Sequence, residues 1–283
     1  MDKSNLGNRM KGYENVTRHY LIKRMPVIIR LDGKAFHTFT KGMKRPFDDI
    51  LVKTMQHTMK YLCENIQGCV LGYTQSDEIT LVLVNYKQLN SCPWFDNNIQ
   101  KIVSISASMA TMAFNTFYRK NIEEYKYNNG KYLDKTIPKE LEKYNMISVY
   151  WSKLNRAMFD SRVFNIPKEE VCNCLIWRQQ DATRNSIQSV GQANFSRKQL
   201  HKKSCDQVQE ILMTNKNINW NDLPVYLKRG SCCVKSANKG TGRSEWVIDE
   251  EIPIFTQNRE YIENRAYNIK CEKPTPSGVG WIA

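Results

Sequence analysis

Three acidic residues stand at the ends of strongly apolar runs. Asp32 follows the run MPVIIRL at residues 25–31, while Asp77 and Glu78 fall between the apolar segments 69–74 and 79–84. A β-branched run that ends in Asp-Gly predicts a buried strand stopping at Gly33, and two apolar runs joined by Gln75, Ser76, Asp77 and Glu78 predict a tight hairpin. Carboxylates gathered at one place repel, each raising its neighbour's pKa, unless a cation offsets the charge. Oxygen-only ligands select Mg2+, which takes one or two carboxylates, waters and phosphate oxygens; two such ions about 3.5–4 Å apart clamp the attacking and leaving oxygens of an in-line phosphoryl displacement. That is nucleotidyl-transfer chemistry. The residues after Asp32 suit it: Gly33 lets backbone come close to a ligand, so the N–H groups of Lys34, Ala35, Phe36 and His37 could cradle a triphosphate, with Lys34 adding charge. Taken alone, Asp32-Gly33 and Asp77-Glu78 each read equally as turn residues. His37 reads as a phosphate or base contact or as a packed residue, and Lys101 as a phosphate ligand or a solvated lysine.

The elements around these residues decide whether they meet. After the first strand, Leu51, Met55, Met59, Leu62 and Ile66 at helical spacing predict a helix over 46–66, with Pro46 in its first turn and Gly68 at its exit. A second helix over 95–118 would bury Ile99, Ile102, Val103, Ala107, Ala110 and Phe114. The charged, Asn-rich stretch 121–145 reads as an exposed insertion, and 157–166 as a fourth strand closed by Pro167. Strand, helix, strand, strand, helix, strand is the ferredoxin-like βαββαβ order of an α+β fold. In it the first two strands run parallel with the third antiparallel between them, so Asp32 meets Asp77 and Glu78 at one sheet edge. The expected division is a catalytic domain over 1–166 and a mostly helical portion over 167–283. The latter is predicted to have helices at 169–186 and 204–214, a strand at 225–234 and an irregular tail after 270.

The chain has 283 residues with 42 Lys+Arg against 28 Asp+Glu, a net charge of +14, which favours polyanionic partners. With 41% hydrophobic residues it can bury a real core. No apolar run approaches the roughly 20 residues that span a bilayer, and residues 1–9 are polar, so a soluble cytoplasmic protein with no membrane partner is expected. Nine cysteines contain no CxxC pair, which disfavours a zinc site or disulfide framework. Residues 238–244 (NKGTGRS) fail the GxxxxGK[ST] pattern and read as a basic loop. The basic clusters Arg197, Lys198, Lys202, Lys203 and Lys228, Arg229, Lys235, Lys239, Arg243 read either as solvated faces or as a surface that tracks RNA.

VIIRLDGKAFHTF, GYTQSDE, the Lys101 segment, FDSRVFNIP, LIWRQQDATRNS and PVYLKRGS, in that order, resemble the tRNA(His) guanylyltransferase superfamily across about residues 1–235. NLGNRMKGYE followed by ATRNS resembles its branch of guanylyltransferase-like 3′-to-5′ RNA polymerases. The resemblance implies a polymerase-type palm, two Mg2+ ions per active site, growth of tRNA at its 5′ end, ATP, GTP and other NTPs as substrates, and a homotetramer. Asp32 and Asp77 match the metal-binding carboxylates, the Gly33 carbonyl a backbone ligand, and Glu78 the adjacent acid. Gly33, Lys34, Ala35, Phe36 and His37, with Ser76, match the residues around the triphosphate, and Lys101 a lysine associated with phosphate handling. Arg45-Pro46-Phe47-Asp48 corresponds to the family's Lys-Pro-Asn-Asp with two changes. Where eukaryotic guanylyltransferases carry His-Ile-Asn-Asn-Leu-Tyr-Asn, this chain has Thr183-Arg184-Asn185-Ser186-Ile187-Gln188-Ser189. Losing that motif is typical of the like-proteins and argues for addition guided by Watson-Crick pairing, hence for tRNA 5′-end repair rather than dedicated G addition to tRNA(His). Candidate RNA contacts are Arg184, Asn185, Arg197, Lys198, Lys203, Lys228 and Arg229. Two further readings rank lower: a palm-type cyclase, whose Gly-Gly-Asp-Glu-Phe hairpin is Gln-Ser-Asp-Glu-Ile here, and a tRNA-binding protein without activity.

Overall fold

The computed structural model describes residues 4–130, 137–237 and 244–267. Helix α1 (Asn5–Val16) starts at Ser4, whose hydroxyl accepts from the Gly7 N–H at 3.0 Å, and buries none of its residues. Strand β1 (Val27–Gly33) leads through the short α2 (Phe36–Phe39) to α3 (Asp49–Asn65), and β2 (Cys69–Gln75) turns directly into β3 (Glu78–Leu83). Next come α4 (Ile99–Gly130), α5 (Pro138–Trp151) and β4 (Phe159–Asn165). The remainder comprises α6 (Glu170–Asn194), α7 (Arg197–Leu200), α8 (Cys205–Lys216), α9 (Val225–Arg229), β5 (Ser231–Ala237), β6 (Ser244–Asp249) and α10 (Glu260–Ala266).

The strands form one sheet in the order β4-β1-β3-β2-β5-β6. Since β3 is antiparallel to both β1 and β2, those two run in the same direction with β3 between them, as the βαββαβ order predicts. Strand β1 is apolar without alternation because both its faces are covered. On one side Val27, Ile29 and Leu31 pack with Met55, Met59 and Leu62 of α3 and with Ile102, Phe114 and Tyr118 of α4. On the other, Ile28 packs with Val82, Tyr73 and the α6 residues Val171 and Leu175. A third cluster joins Ile187 and Val190 of α6 to Val208 and Leu212 of α8, and Phe47 packs against it.

Strand β1 ends at Gly33, as its Asp-Gly ending predicts, with Asp32 and Gly33 still in its ladder with β4. Several other boundaries differ from the sequence reading. Helix α3 begins at Asp49 rather than at Pro46, because the buried Asp48 is its cap: Asp48 Oδ1 accepts from Ile50 and Leu51 N–H, both at 3.1 Å. The second helix begins at Ile99, after Phe95, Asp96 and Asn97 in left-handed conformations, and continues to Gly130. The stretch 121–145 is therefore not simply an exposed insertion. Asn121 and Ile122 are buried, Asn121 Nδ2 donates to Thr54 Oγ1 at 2.9 Å, and Ile147 and Tyr150 of the following helix are buried too. The expected strand at 225–234 is two elements. Pro224 opens α9, and Gly230, at φ +84°, ends it so that β5 can pair with β2; a Cβ there would lie 2.5 Å from the Thr74 carbonyl oxygen. Strands β5 and β6 thus extend the same sheet. The expected tail after 270 and most of the loop at 238–244 lie outside the described residues.

Among the described residues every cysteine is a free thiol, and no helix is long and apolar enough to cross a membrane.

Candidate active site

Register on the sheet brings the acids together. Asp32 is the cross-strand partner of Glu78 on β3 and of Asp160 on β4. Directly opposed residues project to the same face, the one that α6 covers. The β2–β3 turn is tied down beside them: Gly33 N–H donates to the Asp77 carbonyl at 3.1 Å, and Ser76, itself left-handed at φ +50°, donates its hydroxyl to Asp77 Oδ1 at 3.0 Å. Asp32 has its pKa raised, first by burial and then by the charges of Glu78 and Asp160, against the pull of Arg162 and Arg30. Asp77 is also raised, mainly by burial and further by Asp32 and Glu78, against the hydroxyl bond from Ser76. Two crowded carboxylates with raised pKa values suit a divalent cation.

Glu78 is engaged differently. Its carboxylate accepts from Arg178 Nη1 at 2.8 Å and from Arg30 Nη2 at 3.4 Å. Arg178 is buried on α6, with its guanidinium 3.8 Å from the Trp177 ring centroid and its second Nη 3.0 Å from Asp181. Arg30, Arg178, Asp160 and Arg162 were not singled out from the sequence. Arg30 carried a signal, being the one charge within MPVIIRL and two residues from Asp32. Asp160 and Arg162 carried none, because only the β1–β4 register places them there.

The glycine at 33 has a reason other than ligand approach: a Cβ would lie 2.3 Å from the Phe36 ring. That ring is buried against Phe39, Phe114 and Phe159, so Phe36 can offer a ligand only its backbone. The Lys34 N–H is used, donating to the Met158 carbonyl at 2.9 Å. Ala35 is left-handed at φ +54°, and the N–H groups of Ala35, Phe36 and His37 have no acceptor among the described residues. Successive free amides in such a turn form an anion cradle. They border a cleft of about 380 Å³ lined by Asp32, Gly33, His37, Thr40, Ser76 and Asp77. His37 is exposed rather than packed away. It also lines an adjoining cleft of about 440 Å³, which runs between α3, α6 and α9 past Arg45, Asp48, Asn185 and Lys228.

The remaining predicted residues divide. Asn185 and Lys228 reach the larger cleft, and Lys228 Nζ donates to the Asn221 carbonyl at 2.5 Å. Arg184 is exposed and paired with Asp181. Arg229 uses its carbonyl to accept from Tyr73 Oη at 2.7 Å. Arg197 and Lys198 are exposed on α7 beyond the C-terminal end of α6, with Lys203 partly exposed just after them. Lys101 is not brought to the carboxylate edge within this chain. Helix α4 runs toward that edge, with the Ser106 and Ser161 hydroxyls 2.8 Å apart and Thr111 Oγ1 accepting from Phe159 N–H at 3.1 Å. Its first turn therefore lies at the opposite end, where Ile102 packs beside Val27 and Leu83. Val27 and Asp32 are separated by about 17 Å of strand.

Among the described residues no group of three or more His, Cys, Asp and Glu side chains is arranged as a metal cage. Mg2+ does not need one, since it is commonly held by one or two carboxylates with waters and substrate phosphates completing its shell. Asp32 and Asp77 beside an amide cradle fit that donor set.

A family model described as tRNAHis guanylyltransferase matches residues 7–167. A probable tRNA(His) guanylyltransferase of Dictyostelium discoideum is 26% identical over 85% of this chain and 91% of its own length. The structure of a bacterial tRNA(His) guanylyltransferase-like protein in complex with ATP superimposes with a TM-score of 0.77 at 46% identity, covering 93% of this chain and 99% of that one. The corresponding protein in complex with GTP gives a TM-score of 0.73 at 42% identity, over 93% and 100%. With its α+β fold, its paired carboxylates and more than half its length matched by the family model, this chain belongs to the tRNAHis guanylyltransferase family and is a nucleotidyltransferase of tRNA processing.

Proposed function

We propose that the enzyme repairs tRNA by adding nucleotides to a truncated 5′ end in the 3′-to-5′ direction, choosing each by pairing with the opposite strand. The observation that carries this reading is the convergence of Asp32 and Asp77 beside the free amides of Ala35, Phe36 and His37 in one cleft. Relatives solved with ATP and with GTP support nucleoside triphosphates as its ligands.

Asp32, Asp77 and the Gly33 carbonyl would hold two Mg2+ ions, which supply the positive charge that makes in-line displacement at phosphorus feasible. The amides of Ala35, Phe36 and His37, with Lys34 and Ser76, bind and orient the triphosphate oxygens. On 5′-monophosphorylated RNA, a 5′-phosphate oxygen attacks the α-phosphorus of ATP or GTP, forming a phosphoanhydride and expelling pyrophosphate. The 3′-hydroxyl of the incoming NTP then attacks the activated 5′-phosphorus, a P–O bond forms, and the nucleoside monophosphate leaves. On 5′-triphosphorylated RNA the same attack expels pyrophosphate directly. Residues 183–189, where eukaryotic guanylyltransferases carry their own motif, lie on α6, and Asn185, Ser186 and Ser189 line the larger cleft. Polar side chains there, with Arg45 and Lys228, suit the base and sugar of a nucleotide or the RNA end. We read the sheet, with its carboxylates on the end of β1 and the β2–β3 turn, as a polymerase-type palm acting within a homotetramer.

Asp32→Ala and Asp77→Ala are each expected to lower addition to a 5′-truncated tRNA by about 10²–10³-fold or more while leaving the circular dichroism spectrum unchanged. A folded Asp77→Ala enzyme of full activity would contradict the assignment. Tight tRNA binding with no turnover of any NTP would favour the binding-protein reading instead.

A further inference from the structure

Glu78 lies in the carboxylate group, yet its partners are arginines. Arg178, whose side chain is 5% exposed, gives Nη1 to Glu78 at 2.8 Å and Nη2 to Asp181 at 3.0 Å. Asp181 in turn accepts from Arg184 and, at 3.4 Å, from Asn185 Nδ2, at the edge of the larger cleft. The plane of Trp177 stacks on Arg178 and lies 5.1 Å from Arg30, which fixes where both guanidinium groups can point. Arg178 Nε is buried and has no hydrogen-bond partner, so the polar contacts that hold the side chain here are those to its two carboxylates. A buried charge with an unpaired donor is a costly way to fill space on a helix face. A planar fork that must grip two acids at once explains its presence, and a lysine could not do the same.

Resting on the nucleotidyl-transfer reading, we propose that Arg178 is a positioning residue: anchored by its other guanidinium nitrogen on Asp181, it holds Glu78 clear of the cation site at Asp32 and Asp77. Without it Glu78, directly across the strand from Asp32, keeps only the longer 3.4 Å contact with Arg30 and can swing toward the cations and Asp32. The residue acts through Glu78, so its effect must vanish when Glu78 is neutral.

The test is a double-mutant cycle of Arg178→Met and Glu78→Gln, read by single-turnover addition to a 5′-truncated tRNA and by the rise in melting temperature on adding Mg2+ and ATP. Arg178→Met alone is expected to slow addition on the order of 10²-fold. In the Glu78→Gln background it is expected to change the rate by no more than about twofold. The same non-additivity is expected in the nucleotide-dependent thermal shift. Arg178→Lys, which keeps a buried charge, serves where the methionine variant folds poorly; it is expected to recover part of the rate and to show the same dependence on Glu78. Equal losses in both backgrounds, or a fully active Arg178→Met, would overturn the proposal. Wild-type protein that extends no tRNA contradicts the function reading instead, and the thermal-shift cycle then decides the role of Arg178 by itself.

Discussion

Asp32 and Asp160 face each other across antiparallel strands β1 and β4, and Arg162 stands between them, its Nη2 3.9 Å from one carboxylate and 3.6 Å from the other. With Glu78 on the opposite flank, Asp32 sits in the middle of three cross-strand acids. One arginine on this flank and two on the other offset part of that charge. The sheet is thus assembled around a charge cluster that a bound cation would relieve.

That crowding has a sign. The folded state raises the pKa of Asp32, so its protonated form is favoured there; the associated stability is present at acid pH and lost as pH rises through the raised value. At neutral pH without divalent cations the ionised Asp32 is a net liability. Asp32→Asn in EDTA at pH 7.5 is expected to raise the melting temperature by about 1–3 °C, taking roughly 0.5–1 kcal/mol for opposed like charges at a partly exposed site. The difference should shrink toward pH 4, and a variant less stable than wild type at pH 7.5 would contradict the account.

Gly33→Ala tests why the glycine is there. Its Cβ would meet three atoms of the Phe36 ring within 2.7 Å, so the ring and the α2 turn must shift. Overpacking of this kind costs about 1–3 kcal/mol. Because the same turn carries the Ala35 and His37 amides, NTP affinity is expected to fall alongside stability, as read by thermal denaturation and nucleotide titration. Loss of stability with unchanged affinity would separate the cradle from the Phe36 packing.

Much of this was legible in advance because strand patterning is local. The apolar runs around Asp32 and Asp77 fixed which strands were buried, and helix–strand order then fixed which ends met. The rest depended on contacts that sequence spacing does not encode. Helix α4 outruns its predicted end because Tyr118 and Ile122 find a buried place beside α3. The predicted strand at 225–234 breaks at Gly230 because β5 must approach Thr74 closely. Lys101 was expected to handle phosphate beside the metal-binding Asp32, but the direction of α4 along the sheet parts them. Arg178 escaped notice because an arginine on an amphipathic helix ordinarily faces water.

His57 offers a check remote from the site. Burial lowers its pKa, and Lys53, Lys120 and Lys60 lower it further, against Glu124. Its neutral form is favoured in the folded protein, so the associated stability is present above the ordinary value of about 6.5 and lost as pH falls below it. His57→Gln is expected to flatten the decline of melting temperature between pH 7 and pH 5. A decline as steep as wild type would show that His57 does not contribute to it.

The central claim is templated addition at the carboxylate edge. Its most direct test is a 5′-labelled tRNA lacking its first nucleotide, given Mg2+, ATP and each NTP in turn while the opposing base is varied through all four. The account predicts that the nucleotide added follows the opposing base, for tRNAs other than tRNA(His) as well, and that Asp77→Ala abolishes it. Addition of G alone, to tRNA(His) alone, whatever base lies opposite, would contradict it.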